Sequence, residues 1–280
     1  MSNALQRILL FFIAIPALAA LIIFDPTEHL LIINALALAV TIGASMEMAN
    51  LLSLPWKQEK RLGLFFWVLS TAPVAVSVAS RIVWGSAGAF IGFGFGISFL
   101  FLFLLTSNKN DLSKDLFLLQ KLSIVFLYPG FFMIHFSLLT DLPQGKAAVL
   151  LFLASVFLND SFAYAGGKLF GKNSRRPFSL SPNKTTVGLV FGITTSLAVL
   201  IGGYFILPQL FPSGILGAII LGLLMGPGVV AGDLIESALK RSAQVKDTGH
   251  IIPGRGGLLD SLDSPLFTAP IFYYGLLLLQ

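Results

Sequence analysis

The sequence predicts an all-α, polytopic membrane protein of about nine transmembrane helices with a cytoplasmic N-terminus, and three observations carry that prediction. Apolar runs of about 17 to 25 residues recur along the chain, each long enough to cross a hydrocarbon core about 30 Å thick. Of its 280 residues, 56% are hydrophobic and 11% charged, too little polar surface to wrap a water-soluble globule. Lys and Arg concentrate in alternate connections between the apolar runs, as cytoplasmic loops require.

The first span is expected at 8–24, after Arg7 and before Asp25, Pro26 and Glu28. Its basic start and Ala17-Leu18-Ala19 imitate a signal peptide, but we read it as a retained helix. The second and third spans fall at 30–52 and 62–80, and a Gly-rich fourth at 87–105. Glycines there permit close helix approach, within one chain or between two copies, so a homodimer is one expected assembly. A polar link precedes the fifth span at 116–139; the sixth covers 147–170, and a basic loop leads to the seventh at 186–207. The eighth begins near 214 and continues as one helix to 240. The ninth is expected at 265–279, with Ser264 as N-cap and Pro265 as first helical residue.

Those spans put Arg7, Lys57, Lys60, Arg61, Lys109, Lys114, Lys172, Arg175, Arg176, Lys184, Lys240, Arg241, Lys246 and Arg255 on the cytoplasmic side. Arg81 and Lys146 fall outside. The net charge of +5 is therefore a topology signal and not a sign of nucleic-acid binding. With no cysteine, disulfides and thiolate metal sites are excluded. Residues 1–140 carry few intramembrane charges and read as a scaffold, and 141–280 as a catalytic membrane domain.

A carboxylate at the bilayer centre costs about 2.5 to 3.5 kcal/mol, so it normally faces a partner or a wet cavity. Asp160 lies in the sixth span, with Tyr164 and Lys168 at four-residue steps on the same helical face. Asp233, Glu236, Ser237 and Lys240 form a polar stripe on the eighth span, ending beside Arg241. Beyond it, Gly254, Gly256 and Gly257 surround Arg255; such a turn lets backbone amides and a guanidinium approach an anion. Asp260 and Asp263 then stand three residues apart, a spacing at which two carboxylates converge on a hard cation such as Mg²⁺. With Lys240, Arg241, Lys246 and Arg255 these groups describe a metal and polyphosphate site at the cytoplasmic face.

Ser237, Leu239, Lys240, Arg241, Lys246, Asp247, Gly249, Ile252, Pro253, Gly256, Gly257, Leu258, Asp260 and Asp263 together resemble the signature of the phosphatidate cytidylyltransferases, or CDP-diacylglycerol synthases. Asn159 to Tyr164 with Gly167 and Lys168, and Ser181 to Thr185 with Gly188, are similar to further segments of that family. The chain departs from the signature at Arg255, where His is usual, and at Ser261, where Arg is usual; Val187 replaces an acidic or amide residue.

The resemblance implies a multi-pass protein of the cell (inner, cytoplasmic) membrane that makes CDP-diacylglycerol and pyrophosphate from CTP and phosphatidate, with its site on the cytoplasmic side. It implies Asp233, Asp260 and Asp263 as ligands to Mg²⁺, with one cation or two. Lys184, Lys240, Arg241, Lys246 and Arg255 are then phosphate contacts, and Asp160, Lys168, Ser181, Ser237, Asp247, Gly256 and Gly257 line the substrates. The attacking phosphate monoester, with a second pKa of about 6, needs no strong general base. Two other readings compete: a CTP-dependent polyprenol or dolichol kinase, and an ion-coupled transporter using Asp160 and Asp233. The first would move the γ-phosphoryl group; the second would normally show paired repeats and broken helices.

Overall fold

Helices form the regular structure of the computed structural model, which describes residues 13–84, 88, 90–107, 109–252 and 256–279. Among these residues the β structure is the single bridge Ile252–Gly256. We number the long helices α1 (Ile15–Phe24), α2 (Leu31–Leu51), α3 (Lys60–Trp84), α4 (Ile91–Leu105), α5 (Leu112–Leu139), α6 (Gly145–Phe170), α7 (Thr186–Ile206), α8 (Gly214–Ser242) and α9 (Leu259–Leu278). Each expected span overlaps one of them. Six, α2, α3 and α5 to α8, are long and apolar enough among the described residues to cross a membrane, and α1 and α4 are shorter apolar helices.

Their surfaces are inverted relative to a water-soluble protein. Large apolar side chains such as Phe101, Leu105, Phe205 and Leu216 face outward, while Asn34, Thr41, Ser155, Asn159 and Ser196 are buried. Hydrocarbon outside and hydrogen-bonded polar groups inside is the arrangement of a bundle in lipid. The chain is a membrane protein.

Contacts divide it into two compact units, Met1–Asp141 with Asp247–Ser261, and Leu142–Lys246 with Leu262–Gln280. The segment Asp247–Ser261, which the sequence groups with the C-terminal half, thus packs with the first unit.

In the first unit, α1 ends at Asp25, whose buried carboxylate accepts from the Thr27 amide at 2.9 Å and turns the chain toward α2. Asn34 Nδ2 donates to Thr140 Oγ1 at 2.9 Å, and Ser137 Oγ donates to Asn34 Oδ1 at 2.5 Å, tying α2 to the end of α5. Close packing of α4 on α3 explains a glycine: a Cβ on Gly92 would lie 2.8 Å from the Pro73 carbonyl oxygen. Helix α5 starts four residues before the expected span because Asp115 is paired with Arg61, at 2.7 and 3.2 Å, and so tolerates burial. It widens to a π turn over Phe126–Phe131, where Pro129 has no N–H to donate.

In the second unit, α7 packs between α6 and α8. Added Cβ atoms on Gly222 and Gly226 of α8 would lie 2.8 and 2.9 Å from the Cα atoms of Leu197 and Ile193 on α7. Asn159 Nδ2 donates to Ser196 Oγ at 2.7 Å, a hydrogen bond joining α6 to α7. The loop before α7 folds back onto it: Thr185 Oγ1 accepts from Gly188 N at 3.1 Å, and Ser174 Oγ from Val187 N at 3.1 Å. Helix α8 runs unbroken through Pro227 to Ser242 and carries the polar stripe.

Helix α9 begins at Leu259, six residues before the expected start, and Pro265 lies inside it. Ser264 is not an N-cap; its hydroxyl donates to Val229 O on α8 at 3.1 Å. The early start has a physical cause in the carboxylates that take up its first amides, described next.

Candidate functional site

Three carboxylates of the second unit converge. One oxygen from each of Asp233, Glu236 and Asp263 lies within 4.8 Å of the other two. Asp233 and Glu236 stand three residues apart on α8, which places them on one face. Asp263 reaches them from α9, and close contact there requires Gly232: a Cβ at that position would lie 2.6 Å from the Asp263 carbonyl oxygen. Glu236 is fully buried, Asp263 is 5% exposed and Asp233 is partly open.

Two lysines answer this charge. Lys184, from the loop before α7, forms an ion pair with Asp233. Lys240 Nζ lies 2.7 Å from Glu236 Oε2, one turn along α8. Asp263 Oδ1 also accepts from the Ser264 amide at 2.6 Å. Asp160 on α6 lies within electrostatic reach of Asp263. The centre thus offers hard oxygen donors beside two ammonium groups. Oxygens of an octahedral Mg²⁺ shell are about 2.9 Å apart when adjacent and about 4.2 Å when opposite, so these three carboxylates have the right donor chemistry and would draw together to share one ion.

Around this centre Ser237 is half-buried on α8, and Arg241 and Lys246 are exposed beyond it. Lys168 is exposed, its Nζ 5.8 Å from the centroid of the Tyr164 ring. Ser181 is half-buried, and its carbonyl accepts from the Lys184 amide at 3.1 Å, closing the turn that presents Lys184.

Asp260 has a different setting in the first unit. Its Oδ2 accepts from Gly257 N at 2.7 Å, Thr248 N at 2.9 Å and Thr248 Oγ1 at 3.1 Å. Gly256, at φ +118°, makes reciprocal backbone bonds with Ile252 of 2.8 and 3.0 Å, and a Cβ there would meet the Asp260 carboxylate. Asp247 is exposed. Arg255, an expected phosphate contact, lies outside the described residues.

Glu47 of α2 completes this turn. Its Oε1 accepts from Leu258 N at 3.0 Å, and its Oε2 from Leu259 N and Thr248 Oγ1, each at 2.9 Å. The carboxylates of Glu47 and Asp260 therefore occupy the amides of Gly257, Leu258 and Leu259, at and just before the start of α9. The glycines do bring backbone amides close to anions, as the sequence suggests, and those anions are the protein's own. Glu47 is absent from the sequence-predicted site. A lone acid within an apolar span is the signal that marks it; spacing offers a packing contact with Asn34 or Asn50, and the structure joins it instead to Thr248, Leu258 and Leu259.

A sequence profile of the cytidylyltransferase family matches residues 5–279. The chain belongs to that family. Its relatives in the cytidylyltransferase family include a phosphatidate cytidylyltransferase of Synechocystis sp. (strain ATCC 27184 / PCC 6803 / Kazusa), 41% identical over 139 residues, 50% of this chain and 46% of that protein. A phosphatidate cytidylyltransferase of Helicobacter pylori (strain J99 / ATCC 700824) is 43% identical over 146 residues, 51% of this chain and 52% of the relative. The uncharacterized protein YnbB of Escherichia coli (strain K12) is 42% identical over 135 residues, 48% of this chain and 44% of YnbB. The matched segments thus span about half the length of these relatives.

Proposed function

We propose that this cytidylyltransferase-family protein makes CDP-diacylglycerol and pyrophosphate from CTP and phosphatidate, as the names of its relatives suggest. The observation that carries the reading is the convergence of Asp233, Glu236 and Asp263 beside Lys184 and Lys240. Carboxylates with adjacent lysines suit a reaction in which anions must approach one another. A phosphatidate oxygen forms a bond to the α-phosphorus of CTP, and the bond to the pyrophosphate oxygen breaks in line.

When bound, Mg²⁺ would offset phosphate charge and stabilise the leaving pyrophosphate. Asp233, Glu236 and Asp263 are the residues we assign to hold it. Glu236 takes the place that the sequence gave to Asp260, whose oxygen is engaged with Gly257 and Thr248. Lys184 and Lys240 turn from their carboxylates to substrate phosphates, a positioning and electrostatic role. Arg241 and Lys246 supply further positive charge, Arg255 stays a proposed phosphate contact by its place in the sequence signature, and Asp160, Lys168, Ser181, Ser237, Asp247, Gly256 and Gly257 remain the proposed substrate-lining set. The Lys and Arg asymmetry supports an inner-membrane protein with this site on the cytoplasmic side, where CTP is available and phosphatidate enters from the bilayer.

The test is purified protein in detergent with CTP, Mg²⁺ and either phosphatidate or a polyprenol, with lipid products identified by mass. The proposal expects a CDP-lipid from phosphatidate, lost in Asp263→Asn. A phosphorylated polyprenol with CDP release would replace it with the kinase reading.

A further inference from the structure

Glu47 is a carboxylate in the apolar helix α2, 5% exposed, and its hydrogen-bond donors lie more than 200 residues away in the chain. Two backbone amides and one hydroxyl converge on it: Leu258 N, Leu259 N and Thr248 Oγ1. An ionised carboxylate only accepts, so it suits three converging donors, and the start of a helix adds its dipole. The surrounding backbone is shaped to it. A Cβ on Gly249 would lie 2.5 Å from Glu47 Oε1, and one on Gly257 would collide with the same carboxylate. Thr248 joins this anchor to a second, because its hydroxyl also lies 3.1 Å from Asp260 Oδ2.

We propose that Glu47 is a positioning residue: through the cradle of Gly249, Gly257 and the amides of Leu258 and Leu259 it holds residues 247–249 and 256–259 in the shape that receives the nucleotide phosphates. The inference rests on the reading of Asp247, Gly256 and Gly257 as substrate-lining groups. It assigns Glu47 no contact with substrate. The carboxylates proposed for the metal are not among the groups Glu47 touches, so loss of Glu47 weakens CTP binding more than the chemical step.

Two measurements on the full chain test this, one without substrate. In Glu47→Gln the carboxamide turns an NH₂ toward a donor. Amide hydrogen exchange over 248–249 and 256–259 then rises about tenfold while α6 to α8 are unchanged. KM for CTP rises about tenfold and kcat falls by less than about threefold. Glu47→Asp restores the acceptors at shorter reach and recovers part of the loss in KM. Thr248→Val, a milder change that covers the case of an unfolded Glu47 variant, raises KM for CTP by about threefold.

Unchanged exchange over 248–249 and 256–259 in Glu47→Gln overturns the anchor. A fall in kcat at constant KM, or a lower melting temperature with both kinetic constants intact, overturns the positioning role; if Glu47→Gln does not fold, an unchanged KM in Thr248→Val does so. If the wild-type chain makes no CDP-lipid, the substrate reading fails, while the exchange arm still decides whether Glu47 holds the segment.

Discussion

Lys240 Nζ lies 2.7 Å from Glu236 Oε2, one helical turn apart on α8, and Glu236 is fully buried. Lys240→Ala removes that cation and leaves a buried carboxylate facing Asp233 and Asp263. Breaking a buried pair from one side costs about 3 kcal/mol or more. The expected result is a lower melting temperature in detergent, partly recovered by added Mg²⁺, because a cation bound only by the folded protein stabilises it. Melting with and without Mg²⁺ or EDTA reads both effects.

Arg61 and Asp115 form the comparable pair of the first unit. Two hydrogen bonds of 2.7 and 3.2 Å join them, and the guanidinium carbon lies 4.8 Å from the Phe103 ring centroid. Arg61→Ala is expected to destabilise by about 3 to 5 kcal/mol, since the Asp115 side chain is only 2% exposed. Arg61→Lys restores the charge but neither the forked geometry nor the stacking, so it recovers less than half of the loss. The fraction that remains folded keeps its KM for CTP, which separates this scaffold pair from the site. Thermal melting and kinetics on the same samples check it.

Gly226→Ala tests how α7 and α8 approach. The added Cβ would lie 2.9 Å from Ile193 Cα, a backbone atom that moves only with its helix. Overpacking of this kind costs about 1 to 3 kcal/mol. Gly94→Ala has open space around its Cβ and is expected to melt within a degree or two of wild type. Paired melting curves decide.

Much of the fold is legible in the sequence because bilayer thickness imposes a length on each apolar run: each expected segment overlaps a helix, and six of these helices are long and apolar enough among the described residues to cross a membrane. The misplaced boundaries share a cause. Ser264-Pro265 carries a local start signal, but α9 begins at Leu259 because Glu47, more than 200 residues earlier, accepts its first amides. In the site, the stripe from Asp233 to Lys240 follows from helical periodicity, and Glu236 was visible within it. Its meeting with Asp263 was not, since that depends on how closely α8 and α9 approach at Gly232. Asp260 and Asp263 look equivalent by spacing. Their hydrogen-bond partners distinguish them, and those partners are brought by tertiary structure.

The most direct test of the proposed reaction follows the phosphorus. Wild-type protein with phosphatidate, Mg²⁺ and CTP labelled either at the α- or at the γ-phosphate should give a lipid that carries the α label, with the γ label recovered in pyrophosphate, and Asp263→Asn should lower this transfer by about 100-fold or more. A lipid carrying the γ label, or α-label transfer undiminished in Asp263→Asn, would contradict the account.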